Sequence, residues 1–346
     1  MTGPVRPRVV ICEDSQTYAA ALQRLIEHEG ELDVVAVARS AEDAIAAVDR
    51  LHPDLVTMDI ELPGMSGLQA VERIMGLAPV PILVLSGRLD SDAQAAAAAL
   101  AAGALDALPK DALDLLHPAG ADAHAFRRRL ATLSGTRVIR HPRGRRPPRG
   151  DAEGGGRRAR AIGICSSMGG PHALLELLTS LPATFPVPIL VAQHMAVGFA
   201  DGFADWLDAS VPLGVQIARA GKEITCGVWI APDDAHLLLT ADGRMALRRP
   251  TPAEPNAPSG DLLLTSLAAT LGHDAVAVVL TGMGRDGALG TAAVKAAGGF
   301  TIAQDEATSA IYGMPRAAAE AGVDRVLPLG DIAGELRTLT LQAAAR

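Results

Sequence analysis

Three stretches of the chain end an apolar run on a residue with reactive chemistry: "GICSSMGG" on Ser166 and Ser167, "ILVAQHM" on His194, and "VVLTGMGRDG" on Asp286. A serine hydroxyl is a weak nucleophile until an imidazole takes its proton, and the imidazole needs a carboxylate to fix its tautomer and stabilise its charged form. Ser167, His194 and Asp286 could fill those roles in acyl transfer. Gly169 and Gly170 permit a sharp strand-to-helix turn whose amides can face a developing oxyanion. Neither the order Ser, His, Asp nor the string around the serines fits the α/β-hydrolase elbow. Ser166 and Cys165 compete as nucleophile and Asp305 competes as acid, while a helix cap is the bland role for Ser167. Gly282, Gly284 and Gly287, with Asp305 18 residues beyond the last of them, also fit a dinucleotide-binding fingerprint, although that motif normally opens its domain.

A second set stands earlier in the chain. Glu13 and Asp14 follow "RVVIC", Asp59 follows "LVTM", Ser86 ends "ILVLS", and Lys110 follows "DALP". Carboxylates held together repel unless a cation sits between them, and a hard, oxygen-seeking ion such as Mg²⁺ meets that need. Lys110 and Ser86 offer a charge and a hydroxyl to a phosphoryl group, and Asp59 is a nucleophile toward phosphorus. Capping explains any one of these acids alone, but not five polar groups at one edge.

What must position both sets is a repeated βα rhythm. "RVVICED", "LDVVAVA", "DLVTMDI", "PILVLS" and "ALDALPK" read as strands of a first domain. "RAIGICSS", "VPILVAQHM", "GVWIAP", "AVAVVLTGM", "FTIAQD" and "DRVLPL" read as strands of a second, with helical stretches between them. Continuous apolar strands alternating with helices predict parallel sheets covered on both faces, which gather their chemistry at the carboxyl edge. The fold class is therefore α/β with two doubly wound parallel-sheet domains, a flavodoxin-like one and a Rossmann-like one. The expected organisation is a first domain over 1–126, a linker over 127–157 and a second domain over 158–346.

The linker is placed by charge and by its prolines and glycines. Residues 127–160 hold twelve arginines against two acids, a balance of +10 that leaves −18 for the rest of a chain whose net charge is −8. Without interleaved aromatics or a helix-turn-helix pattern, the arginines read as a solvated tether and no nucleic-acid partner is expected. No apolar stretch approaches the about 20 residues needed to cross a bilayer, and no secretory leader is evident, so a cytoplasmic protein without membrane insertion is expected. Cys12, Cys165 and Cys226 are too scattered for a disulfide framework or a zinc site.

The strings themselves carry a family resemblance. Residues 5 to about 125, with Asp59 in "VTMDIELPGMSGL", resemble a response-regulator receiver domain. With "SMGG", "AQHMAVGF", "IAPDDAHLLL", "LTGMGRDGALG" and "AQDEATSAIYGMPR" following in order, nearly the whole chain resembles the CheB-type chemotaxis protein-glutamate methylesterases. The resemblance implies that Asp59 is the phospho-acceptor, that Glu13, Asp14 and Asp59 hold Mg²⁺ with the carbonyl of Glu61, and that Ser86 and Lys110 bind the phosphoryl group. In the second domain it implies Ser167 as nucleophile, His194 as base, Asp286 as orienting acid and the N–H of Met283 as oxyanion donor, with no cofactor there. Phosphorylation by a chemotaxis histidine kinase would then release the receiver's hold on a hydrolase that demethylates glutamate methyl esters, and deamidates glutamines, on methyl-accepting chemoreceptors during adaptation. Three departures stand out: Asp111 follows Lys110 where receivers usually carry proline, Met168 follows the nucleophile, and "PNAPSGDLLL" lacks the usual histidine and arginine, leaving Ser259 and Asp261 as its polar positions.

Overall fold

The computed structural model describes residues 6–87, 96–100, 102–136, 159–252, 254 and 257–341. Two compact units divide near residue 140. Most of the arginine-rich tether falls outside the described residues.

The first unit is a five-stranded parallel sheet in the order β2-β1-β3-β4-β5. Its strands are β1 (Arg8–Cys12), β2 (Asp33–Ala38), β3 (Leu55–Asp59), β4 (Ile82–Ser86) and β5 (Asp106–Pro109). Every residue of β3 and β4 is buried, whereas β2 lies at the edge and exposes Asp33 and Val37. That contrast is what central and edge strands of a doubly covered sheet require. The crossover helices start at hydroxyl caps: Ser15 accepts from the amide of Tyr18, Ser40 from Asp43, and Ser66 and Gln69 form a reciprocal capping box. The last helix, Ala121–Ser134, runs through the expected boundary at residue 126. Arg127 is wholly buried there, ion-paired to Glu29 and donating to the carbonyls of Leu25 and Pro118, and Arg129 pairs with Asp106. Arg127 therefore ties this helix to the end of the helix Gln16–Glu27 and to the loop at Pro118, while Arg129 ties it to β5.

The second unit holds a seven-stranded parallel sheet in the order β14-β13-β12-β6-β7-β9-β8. Its strands are β6 (Ala161–Ser166), β7 (Ile189–Gln193), β8 (Val215–Ile217), β9 (Val228–Ile230), β12 (Ala275–Val279), β13 (Phe300–Gln304) and β14 (Arg325–Leu327). A separate hairpin joins β10 (His236–Leu239) to β11 (Met245–Arg248). β6, β7 and β12 are buried throughout. The connection direction reverses between β6 and β12, so the crevice for ligands in such a sheet opens just beyond their carboxyl ends. The helix Gly260–Leu271 lies directly on β6: a Cβ on Gly163 would come within 2.5 Å of Leu267 and 2.6 Å of Leu264. Next to it runs the helix Ala288–Ala296, which approaches through Gly290, where a Cβ would sit 2.6 Å from that of Leu264.

Candidate active site

Strand register delivers the second unit's reactive residues to that crevice. Ser166 of β6 is paired with Gln193 of β7, so Ser167 and His194 leave adjacent strands one residue later, and the His194 amide donates to the carbonyl of Ser166 at 2.9 Å. From the other side of β6, β12 runs out into Thr281, Gly282 and Met283, with the amide of Ser167 donating to the carbonyl of Thr281 at 3.0 Å. The turn needs its glycines. Gly169 has φ +73°, and a Cβ on Gly282 would lie 2.8 Å from the Cβ of Ser167.

His194 and Asp286 are joined directly, Nε2 to Oδ2 at 2.7 Å. Asp286 is held from four further sides. It accepts from the amides of Gly260 at 2.6 Å, Asp261 at 2.9 Å and Gly287 at 3.1 Å, and from the hydroxyl of Ser259 at 3.1 Å. Its carboxylate thus sits on the N-terminus of the helix Gly260–Leu271, where amides and helix dipole favour negative charge. Burial pushes its pKa upward, but the hydrogen bond and charge of His194, with those amides, prevail and bring it down to about 2. The arrangement is reciprocal, because Asp261 accepts the amide of Gly290 in the neighbouring helix at 2.8 Å.

Ser167 stands half-buried at the opening of this set, and among the described residues its hydroxyl takes no hydrogen bond. Because Nε2 of His194 faces the carboxylate, Nδ1 is the ring nitrogen left to take a proton, the reverse of the serine-protease arrangement. Ser166 is fully buried and donates to Oε1 of Gln193 at 2.6 Å, while Cys165 is buried under the helix and burial, then the charge of Asp286, raises its thiol pKa. His194 pairs with Asp286 and not with Asp305, whose carboxylate accepts from the amide and hydroxyl of Thr308 in a local turn. Met283 follows Gly282 in the turn after β12, and its N–H has no acceptor among the described residues. Ser259 gives its hydroxyl and Asp261 its backbone amide to Asp286.

Two residues without an assigned role complete the corner. The side-chain Nε2 of Gln193 donates to the carbonyls of both Ser167 and His194 at 2.8 Å, and the hydroxyl of Thr281 donates to the carbonyl of Met168 at 3.0 Å. Their sequence signal is a polar residue closing an otherwise apolar strand run.

In the first unit, register gathers the other set. Cys12 pairs with Met58, Asp59 with Leu85 and Ser86 with Pro109, so Glu13, Asp59, Ser86 and Lys110 share one edge. Lys110 Nζ lies 2.6 Å from Glu13 and 2.7 Å from Asp59, and it packs over the ring of Tyr18 at 4.7 Å. Carboxylate oxygens of Glu13, Asp14 and Asp59 fall within 4.8 Å of one another. Burial raises the pKa of Glu13 and of Asp59 despite Lys110; burial also opposes the charge on Lys110, but the two carboxylates outweigh it and raise its pKa. Glu61, exposed in the loop after β3, donates its amide to Asp59 at 3.1 Å.

Comparison with known proteins finds relatives for both halves of the chain. Residues 162–336 match the CheB methylesterase family model and residues 9–118 the response regulator receiver domain. A protein-glutamate methylesterase/protein-glutamine glutaminase of Anaeromyxobacter dehalogenans is 44% identical over 345 residues, covering 98% of this chain and 99% of the relative. Another so named, from Myxococcus xanthus, is 38% identical and covers 95% and 96%. The crystal structure of the Thermotoga maritima CheB methylesterase catalytic domain aligns with a TM-score of 0.51 at 39% identity, over 52% of this chain and 98% of that one.

Proposed function

The chain belongs to the CheB methylesterase family, with a response-regulator receiver domain ahead of the methylesterase domain, and from this premise we propose a phosphorylation-activated hydrolase whose triad is Ser167, His194 and Asp286. The observation that carries the reading is the 2.7 Å contact of His194 with Asp286 at the rim that register shares with Ser167. The substrate is the γ-methyl ester of a glutamate on a chemoreceptor. His194 takes the Ser167 proton at Nδ1 as Oγ attacks the carbonyl carbon. Asp286 stabilises the imidazolium, and the N–H of Met283 stabilises the oxyanion. The proton returns to the leaving methoxide, methanol departs, and water hydrolyses the acyl-enzyme by the same route. A glutamine side chain passes through the same tetrahedral geometry with ammonia as the leaving group.

In the receiver domain, the kinase-derived phosphoryl group is taken by Asp59, and Lys110 and Ser86 bind its oxygens. The residues there fit a hard divalent cation: they offer clustered oxygen donors, and buried Oε2 of Glu13 has the ion pair with Lys110 as its partner among the described residues. Mg²⁺ held by Glu13, Asp14, Asp59 and the carbonyl of Glu61 would supply charge neutralisation as the phosphoryl group arrives.

Methanol release from a methylated chemoreceptor, with and without a small phosphodonor and Mg²⁺, tests the reading. Phosphodonor should raise the wild-type rate and leave an Asp59→Asn variant at its basal rate. Equal stimulation of that variant would refute control through Asp59.

A further inference from the structure

Behind Asp286 lies a histidine that takes no part in the chemistry described above. His236 opens β10 and is completely buried. Its Nδ1 accepts the backbone N–H of Ser259 at 3.0 Å, which requires that nitrogen to be unprotonated and the ring proton to sit on Nε2. Nε2 points toward Oε2 of Glu254 at 3.4 Å, a carboxylate placed by Arg248 and by the amide of Thr251. Hydrogen bonding to Arg248 and then to Thr251 holds Glu254 well below the usual carboxylate range, so a negative charge faces the Nε2 side of the ring.

Ser259 is the hinge of the arrangement. As N-cap of the helix Gly260–Leu271, it accepts the amide of Leu262 and gives its hydroxyl to Asp286, and the next two amides, of Gly260 and Asp261, bind the same carboxylate. Three of the four groups that hold Asp286, besides His194, therefore belong to a backbone turn pinned from behind by His236. The hairpin that carries His236 braces the helix further along, where the amide of Leu239 donates to Ser266 and Thr270 donates to the carbonyl of Leu239.

From this chain of contacts we propose that His236 is a positioning residue for the esterase: acting through Ser259, it sets the place and orientation of the Asp286 carboxylate against His194. The inference rests on the triad reading. Reaction geometry displaced by about an ångström costs roughly a hundredfold in rate, so loss of this support falls on turnover rather than on substrate binding.

The full chain is assayed for methanol release with two near-isosteric variants. Asn at 236 keeps an acceptor near the position of Nδ1, whereas Gln places its polar atoms near Nε2 and leaves the Ser259 amide unpaired. His236→Asn is expected to keep at least about half of kcat, and His236→Gln to lose roughly tenfold to a hundredfold at a KM within about twofold of wild type. In an Asp286→Ala background the two should be equal. Equal kcat values in the parent chain, or an undiminished gap in the Asp286→Ala background, would overturn the inference while leaving the triad intact; an Asp286→Ala variant with wild-type kcat would instead overturn the triad. Should the Gln variant not fold, ¹⁵N resonances of the wild-type histidines decide: His236 is expected as the Nε2–H tautomer, and a protonated Nδ1 would sink the proposal.

Discussion

At the scale of single residues, the esterase site holds its central carboxylate with backbone amides before substrate arrives. That carboxylate is Asp286, which three amides and a hydroxyl hold in addition to His194. Its pKa of about 2 lies below the about 3.9 of an unfolded aspartate, a gap worth about 2 kcal/mol. Because the folded value is the depressed one, this contribution is complete above about pH 4 and disappears as pH falls through about 2. Denaturant titration of the wild type between pH 5 and pH 2 should therefore show a loss of stability larger by about 2 kcal/mol than that of Asp286→Asn. Parallel pH curves for the two would mean that the carboxylate is not stabilised as described. Cys165 illustrates the opposite case, because burial leaves its thiol protonated and unreactive beside the same carboxylate.

At the scale of elements, the strands carrying chemistry were the most legible part of the sequence. β1, β3 and β4, like β6, β7 and β12, are continuous apolar runs ended by polar residues, and a buried parallel strand can hardly read otherwise. Ser167 and His194 could be singled out for the same reason, each lying one residue past such a run, and Asp286 lies in the glycine-rich turn that follows β12. The hairpin β10–β11 and the short β8 were not legible. "HLLL", "MALR" and "VQI" have three or four residues each, too few to establish a period, and "AHLLL" concealed the histidine that supports Ser259. The cradle of Asp286 was invisible for a different reason: it is built from backbone amides of a helix start, which no side-chain pattern announces. Close packing at the strand ends can be tested with glycine. A Cβ at Gly282 would meet Ser167 at 2.8 Å and Met314 at 2.4 Å, so Gly282→Ala should move the nucleophile and reduce kcat by roughly a hundredfold. A Gly76→Ala change in the first unit's helix Gly67–Leu77 meets nothing within 4 Å and should instead add about 0.5–1 kcal/mol of stability with esterase turnover unaltered. Full activity in Gly282→Ala would show that this close approach does not set the site.

At the scale of the whole molecule, two parallel sheets present two chemistries by one device, the carboxyl edge of the strands. In the first it assembles acids and a lysine around Asp59, and in the second a hydroxyl, an imidazole and a carboxylate separated by as many as 119 residues in the chain. Their separation in sequence makes cooperation the central claim, since a triad that works as one unit fails as one unit. The most direct measurement is methanol release from a methylated chemoreceptor by the full chain and its Ser167→Ala, His194→Ala, doubly substituted and Ser166→Ala forms. The account predicts losses of roughly 10⁴-fold or more for each of the first two, no further loss in the double variant, and most of the activity retained without the Ser166 hydroxyl. Losses that multiply in the double variant, or a Ser166→Ala form as inactive as Ser167→Ala, would contradict it.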